Sequence, residues 1–274
     1  MLRSLKEIEN YIVCAADGKI GRVDDFLIDD ERWVIRYLVI ETGGLLDRRQ
    51  VLIAPSSVVE VEWSASRVQL ALTKDTVKNS PDIDARKPVS RQRELDLYSY
   101  YGYPPYWNST DTTSVSPSPA VLVANASLET SPVSREQAAD VHLRSARELR
   151  GYTIQATDGS MGHVDDYILE DDIWGVRYLV IDTSNWWLGK KVLVAPEWAS
   201  RIDWFEQVLY VDMTRQAVKD SPEWDPSVAV DRDYEMRLYQ HYGRVSYWSS
   251  SAAQPGNADE ENDPIIERQK HQHE

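Results

Sequence analysis

The first constraint on this chain is that it is written twice. Displaced by 141 residues, the stretch from Ser4 to Trp107 aligns with Ser145 to Trp248 without a gap. Val23-Asp24-Asp25 returns as Val164-Asp165-Asp166, and Arg36-Tyr37-Leu38-Val39-Ile40 as Arg177-Tyr178-Leu179-Val180-Ile181. Ala54-Pro55, Ser80-Pro81 and Tyr106-Trp107 return as Ala195-Pro196, Ser221-Pro222 and Tyr247-Trp248. Self-similarity over such a length means one module used in tandem. The chain of 274 residues then divides into a first module (1–107), a linker (108–140), a second module (141–248) and a tail (249–274). Linker and tail are poor in large apolar residues and cannot bury enough surface to offset ordering entropy. Both are expected to be flexible, with one strand-like or helical stretch near Ala120–Ala126.

Each module opens with β signals. Tyr11-Ile12-Val13-Cys14 reads as a strand, and Asp17-Gly18 supplies a tight turn. Further strands are predicted over Ile20–Ile28, Trp33–Glu41, Val51–Ile53, Val58–Trp63 and Val68–Leu72, rich in β-branched and aromatic residues. Six short strands at regular spacing predict a small antiparallel barrel or sandwich. A short helix over Thr73–Asn79 follows, then a longer one. Ser90 and Asp231 are N-cap residues, and Gly102 and Gly243 stand where a C′ glycine belongs. Between them Glu94, Leu97, Tyr98 and Tyr101, and their counterparts Glu235, Leu238, Tyr239 and Tyr242, form one helical stripe. The expected fold class is mainly β (α+β): two small antiparallel barrels, each followed by a C-terminal helical arm.

The blocks Val23–Gly43 and Val51–Pro55, with their second copies Val164–Thr183 and Val192–Pro196, resemble the PRC-barrel family. The segment Asn185-Trp186-Trp187-Leu188-Gly189-Lys190-Lys191 resembles the family's usual loop before a Val-Leu strand. The resemblance implies a small β-barrel without a catalytic centre of its own. The family includes the cytoplasmic barrel of the photosynthetic reaction-centre H subunit and the barrel of a ribosome-maturation factor, both docking roles. This chain has neither the H subunit's transmembrane helix nor the maturation factor's different leading domain.

Charge and composition bound the chemistry. The net charge is −15, of which the modules carry about −2 and −6 and the linker and tail the rest. Such a chain repels phosphate backbones, so no direct nucleic-acid partner is expected. The single cysteine, Cys14, rules out an internal disulfide. No apolar run approaches the roughly 18 residues of a membrane span. Met1-Leu2-Arg3-Ser4 does not read as a signal peptide, so the expected location is cytoplasmic, with peripheral membrane association open. Asp24, Asp25, Asp29, Asp30 and Glu31 could in principle hold Ca²⁺ or Mg²⁺, but a strand aims adjacent residues to opposite faces, and a polar turn accounts for them. No metal site and no cofactor are expected. The histidines are unrepeated and lack ligand spacing.

Arg36 and Arg177, set in apolar strands, are expected to pair with Asp25 and Asp166. Tryptophan is abundant: 10 Trp and 15 Tyr stand against 2 Phe. Trp33, Trp63 and Trp107 are shared between copies as Trp174, Trp204 and Trp248, which suits core or barrel-lid positions. Trp186, Trp187, Trp198 and Trp224 belong to the second copy alone and suggest either internal packing or an interface hot spot, toward the first module, a second chain or another protein. With Tyr98, Tyr101, Tyr239 and Tyr242 they are the candidate partner-binding residues. The expected function is a non-enzymatic interaction or scaffold protein, its modules packed as a pseudo-dimer and a homodimer possible, its protein partner not specified by the sequence. Two narrower expectations stand beside it: an accessory to a reaction centre or electron-transfer complex, and a ribosome-maturation or RNA-processing accessory acting through protein contacts.

Overall fold

The computed structural model describes residues 1–43, 48–81, 89–103, 106, 143–183 and 189–251. Trp107, Trp186, Trp187, the Ala120–Ala126 stretch and the tail beyond 251 lie outside the described residues.

The chain is mainly β. The first half supplies β1 (Leu2–Ser4), β2 (Ile12–Ala15), β3 (Gly18–Asp29), β4 (Val34–Thr42), β5 (Arg49–Ile53), β6 (Val58–Glu62) and β7 (Arg67–Leu70). The second supplies their counterparts β8 (Leu143–Ser145), β9 (Thr153–Ala156), β10 (Gly159–Glu170), β11 (Gly175–Asp182), β12 (Lys191–Val194), β13 (Ala199–Asp203) and β14 (Val208–Val211). In each half the third strand is long and hairpins onto the fourth, and their apolar stretches, Phe26–Ile28 against Ile35–Ile40 in the first half, are buried.

Two expectations are corrected here. The strands do not close into two separate barrels; they form one open 14-stranded sheet whose main path runs β13-β14-β9-β10-β11-β4-β3-β2-β7-β6. Nor is the sheet purely antiparallel, since β2–β7 and β9–β14 pair in parallel. The antiparallel expectation assumed that successive strands are neighbours, whereas β7 and β14 come back, after four intervening strands in the sequence, to lie beside β2 and β9.

The halves are joined by exchange. Strand β1 leaves its own half and pairs with β10, and β8 pairs with β3 in return. At the centre Gly175 faces Val34, Ile35 N–H donates to the Trp174 carbonyl (2.8 Å) and Val176 N–H to that of Trp33 (2.7 Å). Both tryptophans take left-handed backbone angles, φ +53° and +54°, unusual for bulky residues. Side chains from both halves merge into one hydrophobic cluster, to which the exchanged segments contribute Leu5, Ile8, Ala146 and Leu149, all fully buried.

The helical arms fall where the sequence places them, at Arg91–Tyr101 and Arg232–Tyr242. Ser90 Oγ accepts from Arg93 N–H (3.4 Å), and Asp231 Oδ1 from Tyr234 N–H (2.7 Å). Gly102 and Gly243 end the helices at φ +73° and +61° with nothing near a would-be Cβ, the left-handed C′ position that favours glycine.

Candidate functional site

Two sites are built twice from repeated residues: a seam between the halves, and a buried network that seats each arm.

At the seam, each exchanged segment delivers a serine and a helix start to a buried carboxylate. Ser4 Oγ donates to Asp166 Oδ2 (2.5 Å) and Lys6 N–H to Oδ1 (3.2 Å). In mirror image, Ser145 Oγ donates to Asp25 Oδ2 (2.5 Å) and Arg147 N–H to Oδ1 (3.1 Å), beside Phe26 N–H at 2.7 Å. Asp25 and Asp166 are only 5% and 4% exposed. Burial pushes both carboxyls above their ordinary range, against the pull of these donors. The preceding aspartates face the exchanged cations: Arg147 reaches Asp24 (3.1 Å) and Lys6 reaches Asp165 (2.5 Å).

The strand register explains how neighbouring aspartates serve one segment. Val23 faces Ile40 and Asp25 faces Val39, so Asp24 is an extra, bulged residue; Asp165 is its equivalent. A bulge breaks strict alternation and re-aims a side chain. The alternation argument that kept the pair apart does not hold at this bulge.

The same register corrects the predicted ion pairs. Leu27 faces Tyr37 and Ile28 faces Ile35, which makes Arg36 a second bulge, repeated at Arg177. Re-aimed toward the hairpin end, Arg36 binds Asp29 through Nε (3.1 Å) and Nη2 (2.9 Å), and Arg177 binds Glu170 through Nε (2.6 Å). Asp25 and Asp166 serve the seam instead.

Each bulged arginine also lies on a tyrosine of the arm network. Arg36 sits 3.9 Å above the Tyr106 ring and Arg177 4.1 Å above Tyr247. Under Tyr106, Glu94 Oε1 accepts from Tyr37 (3.1 Å) and Tyr106 (3.0 Å), while Oε2 accepts from Arg91 (2.7 Å). Glu235 accepts from Tyr178 (2.6 Å) and Tyr247 (3.0 Å) and pairs with Arg232 (3.0 Å). Glu94 and Glu235 are each 2% exposed. Burial pushes Glu94 up to about 7 against the pull of Arg91 and the two hydroxyls. Both of its oxygens are occupied by structural donors, so the arrangement anchors a helix to a sheet. The sequence singled out the stripe but not Glu94 and Glu235 as its centre. A carboxylate between Leu and Tyr positions of one buried face was the available signal.

The proposed partner-binding aromatics turn inward. Tyr98 packs edge-on against Tyr37 and Tyr103, and Tyr239 against Tyr178 and Trp198. Tyr101 stacks on Tyr103, and Tyr242 lies against Trp198. Trp198 and Trp224 are 4% and 6% exposed. These six side chains pack each arm and its surroundings against residues of its own half. Trp198 fills the place of Ser57, which in the first half meets the Tyr103 hydroxyl instead.

One pair breaks the symmetry. Glu9 and Arg150 occupy equivalent positions in the two copies, and they pair with each other across the seam, both largely buried. Arg150→Glu would set two carboxylates together there. It is expected to cost about 2–3 kcal/mol. The charge-swapped Glu9→Arg/Arg150→Glu chain should recover most of that loss in urea unfolding, whereas an equally unstable double variant would show the pair to be unimportant.

Among the described residues, no helix is long and apolar enough to cross a membrane. No family model and no curated protein matches this chain.

Proposed function

We propose that the chain is a non-enzymatic interaction scaffold made of two PRC-barrel-like modules fused as a pseudo-dimer and working in the cytoplasm. The observation that carries this reading is the exchange at the seam. Each half accepts a foreign Leu-Arg-Ser strand along the edge of its long strand and closes a buried aspartate over the serine and the following helix start. That is recognition of one half of the chain by the other through strand addition, a mode that protein docking also uses. The resemblance to PRC barrels, whose roles are docking roles, supports the same reading, as does the shared strand order of the two halves.

Trp186 and Trp187, in a segment that the sequence reads as a loop, are the proposed contact for an outside partner, because a pair of large aromatics gains most when another surface covers it. The test is a quantitative capture experiment with the full chain and its Trp186→Ser/Trp187→Ser variant, circular dichroism verifying that both are folded. Saturable binding of a defined protein by the wild type, lost in the variant, is the expected result. Equal capture by both would end the loop assignment; no saturable partner for either would end the scaffold reading.

A further inference from the structure

We propose that His163, Asp165 and Asp182 form a site for a borderline divalent cation of the Zn²⁺ or Co²⁺ class, present in the second half alone. One donor atom from each lies within 4.8 Å of the others, and all three residues are half-buried. The strands fix the arrangement. His163 faces Asp182 directly in the β10–β11 ladder, and Asp165 is the bulged residue two positions on. Gly162 has φ +49°, and a Cβ there would lie 2.3 Å from the Asp182 carbonyl oxygen. That close approach needs glycine and holds the two strands, with their ligands, at one spacing.

The donor set selects the ion class. Calcium and magnesium prefer all-oxygen shells, whereas one imidazole with two carboxylates suits zinc and its neighbours. Three protein donors at a half-exposed place leave the fourth tetrahedral position to water.

Comparison of the copies points the same way. The equivalent residues of the first half are Arg22, Asp24 and Glu41, so a guanidinium, which is always charged and cannot ligate a metal, stands where the second half has imidazole. The competitors for the ion are also visible. Lys6 Nζ and Lys191 Nζ lie 2.5 and 2.7 Å from the Asp165 oxygens. Burial works against the ionised carboxylate, but these two lysines outweigh it and hold Asp165 below the ordinary carboxylate range. An ion entering the site takes Asp165 from at least one ammonium. Because Lys6 comes from the exchanged segment, ion binding and this seam contact draw on the same carboxylate.

Zinc alone, titrated calorimetrically into the full chain carrying His271→Ala and His273→Ala to remove the tail imidazoles, should report one site that depends on His163. His163→Arg installs the first half's own residue at an equivalent place and should abolish that binding. Lys6→Met removes a competitor and should tighten binding by about tenfold. Cobalt should give a visible absorption band that disappears with His163→Arg. Zinc binding of unchanged affinity in His163→Arg, or no zinc binding by the Lys6→Met chain at millimolar concentration, would overturn the assignment.

Discussion

Replacing Glu94 with alanine is expected to destabilise the chain by about 3–5 kcal/mol, the largest single effect among the arm residues. The change removes the shared acceptor of two buried tyrosine hydroxyls and the carboxylate partner of Arg91, whose side chain is 10% exposed. A buried guanidinium without its partner and hydroxyls without an acceptor each incur desolvation that nothing offsets. Thermal unfolding should move down by roughly 10 °C. A shift of a degree or two would mean that the arm contributes little to the fold.

Glu94 also gives the first half a pH dependence of determined sign. Its folded value, about 7, lies above its ordinary value of 4.5. Between these values the folded state binds more protons than the unfolded chain. The stability contributed by this group is therefore fully present below pH 4.5, declines as pH rises toward 7, and levels off beyond. Glu94→Gln keeps a hydrogen-bonding side chain of similar shape but does not titrate. The stability difference between wild type and this variant should shrink by about 3 kcal/mol between pH 4.5 and pH 8. Parallel stability curves over that range would show that Glu94 titrates normally.

The second large effect is expected at the seam. Asp25→Ala removes the acceptor for Ser145 Oγ and for the Phe26 and Arg147 amides at a site 5% exposed. A loss of about 3–4 kcal/mol follows from leaving these donors unpaired, and Asp166→Ala should lose a similar amount through Ser4 and Lys6. Coupling distinguishes the seam from general core damage. In a Ser145→Ala background the cost of Asp25→Ala should fall by about 1 kcal/mol, because one of the donors is already gone. Amide exchange should accelerate first at Arg147 in Asp25→Ala and at Lys6 in Asp166→Ala. Uniform acceleration across the sheet, or strict additivity, would remove the seam from the explanation.

Local features were legible in the sequence because local chemistry sets them. The arm helices, their Ser90 and Asp231 caps and their terminal glycines follow from residues within one turn of each other. The duplication guaranteed that both halves would repeat them. What the sequence hid is non-local. Nothing in Leu2-Arg3-Ser4 distinguishes a strand that pairs within its own half from one that crosses to β10. The two bulges were equally invisible: one extra residue in a ladder is a property of the pair of strands, and it redirected Asp24, Arg36 and their counterparts. The ion-pair partner was therefore missed by four residues along the strand, from Asp25 to Asp29. For the tryptophans peculiar to the second copy, the sequence left interior and interface equally open for a simpler reason. Trp198 takes the place of Ser57, Trp224 is buried as well, and a count of aromatics does not say which way they face.

The Glu9–Arg150 contact has an evolutionary consequence. A symmetric ancestor, pairing two identical modules, would bring like residues together at this position, so neither glutamate nor arginine would be well tolerated there. Fusion of the two genes removes that restriction, and each copy can then take the charge that suits the other. Once the exchange has occurred, a half carrying Glu9 meets another glutamate if it pairs with its own kind, and a half carrying Arg150 meets another arginine. The duplication is thereby ratcheted: the two halves can diverge on their outer surfaces, but selection must transmit them together.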